Sequence, residues 1–209
     1  MKQHKTLLIV TSLLTLAPLA AGLLLWGQLP DPMPTHFDLN GVPDGWSSKL
    51  LAVVGIPLIL LAAHLICLGF TLHDPKRQNI SDKLLLILFW IVPVLSCMCG
   101  FMMFSFALGR PVDIGMITSI LLGIIFLILG NYMTKAHQNY TIGIKLPWTL
   151  HSEENWNRTH RLASRLFILS GLVFLVNILF RSAALVLIPC LVCIAVPALY
   201  SYGLYKKGI

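Results

Sequence analysis

Glu153 and Glu154, the only glutamates in the chain, lie inside GIKLPWTLHSEENWNRTHRL (143–162), beside His151, His160, Trp148 and Trp156. Carboxylates and imidazoles this close could serve general acid–base catalysis, which needs a proton donor and acceptor aimed at one reacting atom. The spacing speaks against it, because adjacent residues on a helix point in different directions and the two carboxylates cannot converge. Their position explains them without chemistry. Thr149 or Ser152 supplies a helix N-cap, and glutamates in the first turn meet the positive end of the helix dipole. Further on, Trp156 and His160 are four apart, and Arg158, Arg161 and Arg165 follow at spacings of three and four, giving an aromatic face and a basic face. Such a helix is expected to lie on the inner membrane surface, arginines on anionic headgroups, before turning into the next span. No catalytic residue is assigned, and the chain is not expected to be an enzyme.

A second cluster, GQLPDPMPTHFDLNGVPDGWSSK (27–49), contains Thr35, His36, Phe37, Asp38 and Asp44. His36 and Asp38 could ligate a metal, but two ligands are not a site, so no metal and no cofactor is assigned. The alternating Pro30, Pro32 and Pro34 favour an extended, polyproline-like segment without internal hydrogen bonds. Asn40-Gly41 and Pro43-Asp44-Gly45 are two turn signals in quick succession, so the loop should be compact. Ser47 or Ser48 can cap the helix that follows, with Trp46 at headgroup level. Two readings of its polar groups remain open. Either His36 and Asp44 hydrogen-bond the loop to itself, or an ordered, mildly acidic surface meets an external peptide, particularly a cationic one.

These clusters sit in a chain of 209 residues that is 57% hydrophobic and only 11% charged, against about 25% charged in soluble domains. Crossing a bilayer takes about 20 mostly apolar residues. Six runs between charged residues qualify: Thr6 to Pro30, Leu50 to His73, Leu84 to Gly109, Ile114 to Thr134, Leu166 to Phe180 and Ser182 to Tyr205. The fifth is short, and reaches across once Arg165 snorkels to the interface and the helix extends to about Leu162. The run behind Lys2 and Lys5 is too long for a cleaved signal segment and lacks an A-x-A site, so a retained first helix is expected.

Lysine and arginine set the orientation. Twelve of the 15 fall at the N-terminus, in the second and fourth connections and at the C-terminus, leaving Lys49, Arg110 and Arg181 for the alternate connections. The expected fold is an all-α integral membrane protein of six transmembrane helices with cytoplasmic N- and C-termini. Residues 1–113 form an N-terminal three-helix region with an ordered external loop, 27–49. Residues 114–209 form a C-terminal three-helix region with a cytoplasmic loop, 131–161. The net charge of +7 is mostly this asymmetry, so the lipid bilayer, and not nucleic acid, is the expected direct contact. All five cysteines fall in the spans, where they suit packing better than disulfides.

Connection 131–161, at about 30 residues, exceeds the usual length of a structureless loop and is expected to be functional or structured. The second connection, HDPKRQNISDK, reads as a plain cytoplasmic turn, with Asp74-Pro75 as a helix stop and Ser81 as an N-cap. Within the membrane, His64 lies mid-span and Asn177 about one turn from the outer end of the fifth span. Intramembrane polar groups are functional candidates, yet a neutral histidine bonded to a facing helix satisfies the same residue. With the intraspan prolines Pro18, Pro57, Pro93, Pro189 and Pro197, His64 motivates an alternative reading as a small polytopic transporter or permease. That reading lacks an intramembrane acid to partner the histidine.

The outer loop also carries a resemblance. Pro34, His36, Phe37, Asp38, Gly41, Pro43 and Asp44, with Thr35 between the first two, resemble P-x-H-[FW]-[DN]-x-x-G-x-[PA]-D, the core of the domain of unknown function that opens SdpI-like proteins. GNYMTKAHQNYTIGIKLPWTLHSEENWNRTHRLASRL is similar to the second signature of that family, at Gly130, Asn131, Asn139, Gly143, Ile144, Lys145, Pro147, Trp148, Thr149, Leu150, Trp156, Thr159, His160 and Arg161. Lys145 stands where arginine is frequent, which removes a bidentate guanidinium. The resemblance implies a multi-pass protein of the bacterial plasma membrane that gives immunity to a secreted antimicrobial peptide toxin. It also implies a receptor role, holding a cytoplasmic transcriptional repressor at the membrane. On that reading the outer loop (Pro34, Thr35, His36, Phe37, Asp38, Gly41, Pro43, Asp44) senses the peptide. Asn131, Asn139, Gly143, Lys145, Pro147, Trp148, Thr149, Trp156, His160 and Arg161 dock the partner.

Overall fold

The structure is a computed structural model that describes residues 2–38, 41–110 and 112–209. Asn40 of the expected Asn40-Gly41 turn and Pro111 of the third connection lie outside those residues. The first span is two helices, α1 (Lys2–Thr15) and α2 (Ala17–Leu24), separated at Leu16. Pro18 explains the break: it has no N–H to donate and sits in the first turn of α2, where that loss costs nothing. Strands β1 (Met33–Phe37) and β2 (Pro43–Ser47) pair antiparallel. A π-helical turn, Leu51–Gly55, leads into α3 (Ile56–Leu72). Pro57 cannot donate to the carbonyl four residues back, and the wider turn before it takes up the mismatch.

A single 3₁₀ turn (Arg77–Asn79) precedes α4 (Asp82–Ala107), whose first turn is capped by the Ser81 hydroxyl accepting the Leu84 N–H at 3.3 Å. Then come α5 (Ile114–Met133), the short α6 (Pro147–His151), α7 (Glu153–Phe180) and α8 (Ala184–Lys206). Among the described residues six helical stretches are long and apolar enough to cross a membrane: His4–Leu24, Leu51–Leu72, Asp82–Ala107, Ile114–Met133, Glu153–Phe180 and Ala184–Lys206. Their outward side chains, such as Leu179 at 82% and Ile194 at 71% exposure, form a surface suited to acyl chains rather than water.

Two compact units divide the chain, one of Met1–Phe70 with Leu85–Ile114, the other of Thr71–Leu84 with Gly115–Ile209. The stretch 71–84, expected with the N-terminal region, therefore packs with the C-terminal one. In the first unit Leu29, Met33, Ala52, Val53, Met103 and Phe104 make the core. Met33 is fully buried and Phe37 meets Phe106 edge-on at 5.5 Å, which seats the hairpin on the ends of its helices. The second unit has glycine contacts between α5 and α7. A Cβ at Gly123 would lie 2.6 Å from Leu175 Cδ2, and one at Gly171 would lie 2.9 Å from the Gly123 carbonyl oxygen. Small residues here let the backbones approach, as membrane helices require where no hydrophobic effect drives them together. Phe126 fills the space beside them, stacked on Phe167 and edge-on to Phe174, both at 4.9 Å.

Three local expectations are corrected. Pro34 belongs to β1 and not to a polyproline segment; in a two-stranded ribbon a residue can lack a donor on the side that faces away from its partner. Pro43-Asp44-Gly45 is strand β2 rather than a turn. Finally, α7 does not turn at the membrane surface. It is one helix of 28 residues, about 42 Å long against a hydrocarbon core of about 30 Å, so its first turns continue past the apolar zone in a straight line. The reason is packing: Trp156, Thr159, His160 and Ala163 form a buried i, i+3, i+4, i+7 face that holds the helix in register with the loop before it.

Candidate functional site

Two polar constructions stand out, one in each unit. In the hairpin, Asp38 makes the turn: its backbone N–H donates to the Val42 carbonyl at 2.8 Å and its Oδ1 accepts the Val42 N–H at 2.8 Å. Gly41 completes it with φ 79°, a conformation an L side chain resists. His36 Nδ1 and Asp44 Oδ1 pair across the strands at 2.5 Å, both exposed, and the Thr35 and Ser47 hydroxyls pair at 3.0 Å. Gly45 is needed opposite His36, since a Cβ there would lie 2.7 Å from the His36 Cβ. Pro34 is buried and Phe37 half-buried, whereas His36 and Asp44 are exposed with Val42 and Trp46. The hairpin thus offers one paired imidazole and carboxylate flanked by two apolar side chains on a hydrogen-bonded backbone. Ser48 receives the Leu51 N–H at 3.3 Å and ties β2 to the following helix.

The loop of the second unit is built around Trp156, which is fully buried at the start of α7. Its indole N–H donates to the Ala136 carbonyl at 2.7 Å. His160 stacks on it, ring centroids 4.0 Å apart. Because His160 Nε2 accepts the Ile144 N–H at 3.0 Å, its proton sits on Nδ1, which donates to the Trp156 carbonyl at 2.8 Å. Gly143 crosses this pair at φ 123°, and a Cβ there would run into His160 Nε2 and lie 2.9 and 3.0 Å from the Trp156 ring. Asn139, buried, accepts the Thr141 and Ile142 N–H groups at 2.9 and 2.6 Å and donates to the His137 and Ile142 carbonyls. Thr149 accepts the Leu146 N–H at 2.9 Å and donates to the Ile144 carbonyl at 2.8 Å. Ser152 is the N-cap of α7, accepting the Asn155 N–H at 3.1 Å, with Glu153 and Glu154 in its first turn and Glu154 paired to Arg158.

The second connection is part of this construction, which its sequence did not suggest. Asp74, only 5% exposed, accepts the Tyr140 N–H at 2.9 Å and the Thr141 hydroxyl at 2.8 Å through Oδ2, and the Lys76 N–H at 2.7 Å through Oδ1. Lys76 reaches the Gln138 side-chain oxygen and lies 5.5 Å from the Tyr140 ring. Gln138 in turn donates to the Thr149 and Leu150 carbonyls at 2.9 and 3.0 Å. On the other flank, Trp148 donates to the Ser201 hydroxyl at 2.8 Å and stacks near Tyr202 and Tyr205, while Asn155 donates to the Ser201 carbonyl at 3.0 Å. Connections two and four and the end of α8 form one hydrogen-bonded assembly. The only advance signal was an aspartate placed just outside an apolar span.

The residues expected to dock a partner fall into two groups. Asn139, Thr149, Trp156 and His160 are buried, and with Gly143 and the half-buried Trp148 they hold the loop in shape. Asn131, Lys145, Pro147 and Arg161 are exposed and free to meet another molecule. His64 and Asn177 are both buried inside helices. His64 Nε2 meets the Thr11 hydroxyl at 3.0 Å, and its Nδ1 is the one buried side-chain nitrogen or oxygen without a hydrogen-bond partner among the described residues. Asn177 accepts the Ser182 N–H at 2.8 Å and donates to Ser119 at 3.3 Å, which fastens the end of α7. Among the described residues no three His, Cys, Asp or Glu side chains gather as a metal site would require.

Both constructions coincide with regions that match known families. Residues 135–202 match the SdpI/YfhL protein family, and residues 13–61 match a domain of unknown function, DUF1648. Over 206 residues the chain is 27% identical to "Immunity protein SdpI" of Bacillus subtilis strain 168, covering 95% of this chain and 96% of that protein. No solved structure gives a significant match. With both regions in the same order and the likeness running the length of a chain with six membrane-spanning helices among its described residues, this protein is similar to the SdpI family from end to end and is a multi-pass protein of the bacterial plasma membrane.

Proposed function

We propose that the protein gives its cell immunity to a secreted antimicrobial peptide and does so without catalysis. The observation that carries this is the end-to-end similarity to an immunity protein. The lysine and arginine bias supports a hairpin on the outside and both termini inside. The hairpin meets the peptide through Trp46, Val42 and the His36–Asp44 pair, the groups it exposes on a rigid backbone. On the inner side, Lys145, Pro147, Asn131 and Arg161 border a loop whose shape is fixed by buried bonds, and they offer a cytoplasmic transcriptional repressor a preformed surface with two basic side chains. The experiment is expression in Bacillus subtilis 168 lacking its own immunity protein, exposed to supernatants of the parent strain and of this chain's host. Survival supports the reading, and unchanged killing by all of them refutes it. Retention of a repressor by the immobilised full chain, lost on Lys145→Glu with Arg161→Glu, supports the inner role.

A second reading rests on the His64 Nδ1 without a partner: a small transporter or permease passing a proton or polar solute. Proteoliposome flux abolished by His64→Ala supports it; flux that survives the substitution removes its basis.

A further inference from the structure

In the first unit, α2 and α4 enclose a groove of about 380 Å³. The helix break at Leu16 creates it. Pro18 packs directly on Gly100, where a Cβ would lie 2.7 Å from the Pro18 ring, and the small Ala17 and Ala21 leave the space beside that contact open. From Cys97 to Leu108 the groove follows the direction of α4 for about 16 Å. One leaflet of a bilayer has an apolar depth of about 15 Å, half of the roughly 30 Å core.

Its chemistry is one-sided. The lining is mostly apolar, Phe101 and Phe104 included, and among the described residues the one charged side chain in it is Arg110, exposed just past the end of α4. An extended peptide laid in this groove would leave its backbone N–H and C=O groups without partners, a cost of several kcal/mol each in an apolar medium, and a helix about 10 Å across is too wide for it. The polar side chains on offer are Ser105 and Cys97, and the Cys97 thiol already donates to the Leu14 carbonyl. An acyl chain brings no such groups. A guanidinium at the mouth suits a phosphate, which it can grip with two parallel hydrogen bonds.

We infer that this groove binds one phospholipid of the leaflet on the hairpin side, an acyl chain lying between α2 and α4 and the headgroup phosphate on Arg110. The site is independent of the immunity reading. It fills the gap left by the helix break and supports the floor under the hairpin.

The test is native mass spectrometry of the full chain with phosphatidylglycerol or phosphatidylcholine, after delipidation that strips loosely held lipid. Wild type retains one lipid. Ala17→Phe fills the groove from an exposed position and loses it, whereas Leu13→Phe, on the exposed surface of α1, keeps it. Arg110→Gln weakens phosphatidylglycerol retention about fivefold. Should Ala17→Phe prove unstable by size-exclusion chromatography, alkylation of Cys97 in a variant with no other cysteine replaces it: lipid slows the reaction in the wild-type groove and not with Ala17→Met. Equal retention by wild type and Ala17→Phe, or a Cys97 rate that ignores lipid, overturns the proposal. So does a lipid bound equally well by Arg110→Gln.

Discussion

Gly143→Ala should unfasten the loop of the second unit although it adds a single methyl group. The new Cβ would run into His160 Nε2 and lie 2.9 and 3.0 Å from the Trp156 ring, at a φ of 123° that only glycine adopts freely. Backbone strain of this kind costs about 1–3 kcal/mol, and overpacking against two rings that are already buried costs about 1–3 kcal/mol more. Pushing the imidazole aside also breaks its bond from the Ile144 N–H, leaving a poorly solvated donor at about 1–3 kcal/mol. Their sum, about 3–9 kcal/mol, rivals the whole stability of many folded domains. The expected result is a thermal midpoint lowered by at least about 6 °C, taking about 2–4 °C per kcal/mol at this length. Rapid tryptic cleavage at Lys135 and Lys145 of the purified protein should accompany it. Adding His160→Ala removes the ring in the way, so the double variant should lose less than the two single losses added together. A Gly143→Ala protein with wild-type midpoint and tryptic pattern would refute this account of the loop.

Other substitutions probe the remaining supports. Asp74→Ala removes a buried acceptor of three hydrogen bonds, each worth about 1.5–3 kcal/mol to a charged group before relaxation. It should loosen the backbone and speed tryptic cleavage after Lys76 and Lys135, and unchanged cleavage would detach the second connection from the assembly. Trp156→Phe keeps the stacking ring but loses the indole bond to the Ala136 carbonyl. It should lower stability by about 1–3 kcal/mol, read as a midpoint shift, with Gly143→Ala less harmful in that background only if the rings move. His64→Leu loses one bond to Thr11 and should cost about 1 kcal/mol while leaving peptide protection intact. Protection lost at equal protein level would move His64 from packing to function.

The spans were legible because six apolar runs separated by charges have no other physical solution, and their observed limits differ mainly where packing intervened. Pro18 announced a kink that became a full break. The length of α7 was hidden, because its first turns look polar when the aromatic face is read as membrane-seeking. They are polar outside and buried inside, which only the position of the preceding loop decides. The hairpin was half visible: an ordered loop with turn signals, but with Pro43-Asp44-Gly45 read as a turn, since a glycine that makes room for His36 looks like a turn glycine in one dimension. The inner loop was legible as a concentration of Asn139, Gly143, Trp156 and His160, yet their use was not. A buried tryptophan bonded to a carbonyl 20 residues earlier, or Asp74 bonded to Tyr140, needs the fold to bring the ends together.

The most direct measurement is survival of peptide-sensitive cells carrying wild type or His36→Ala with Asp44→Ala, at matched membrane levels. The pair is exposed, and such a pair contributes at most about 1 kcal/mol to stability, so any loss reports contact with the peptide and not unfolding. The account predicts that wild type protects and that the double variant protects markedly less. Equal protection by both, or none by either, would contradict it.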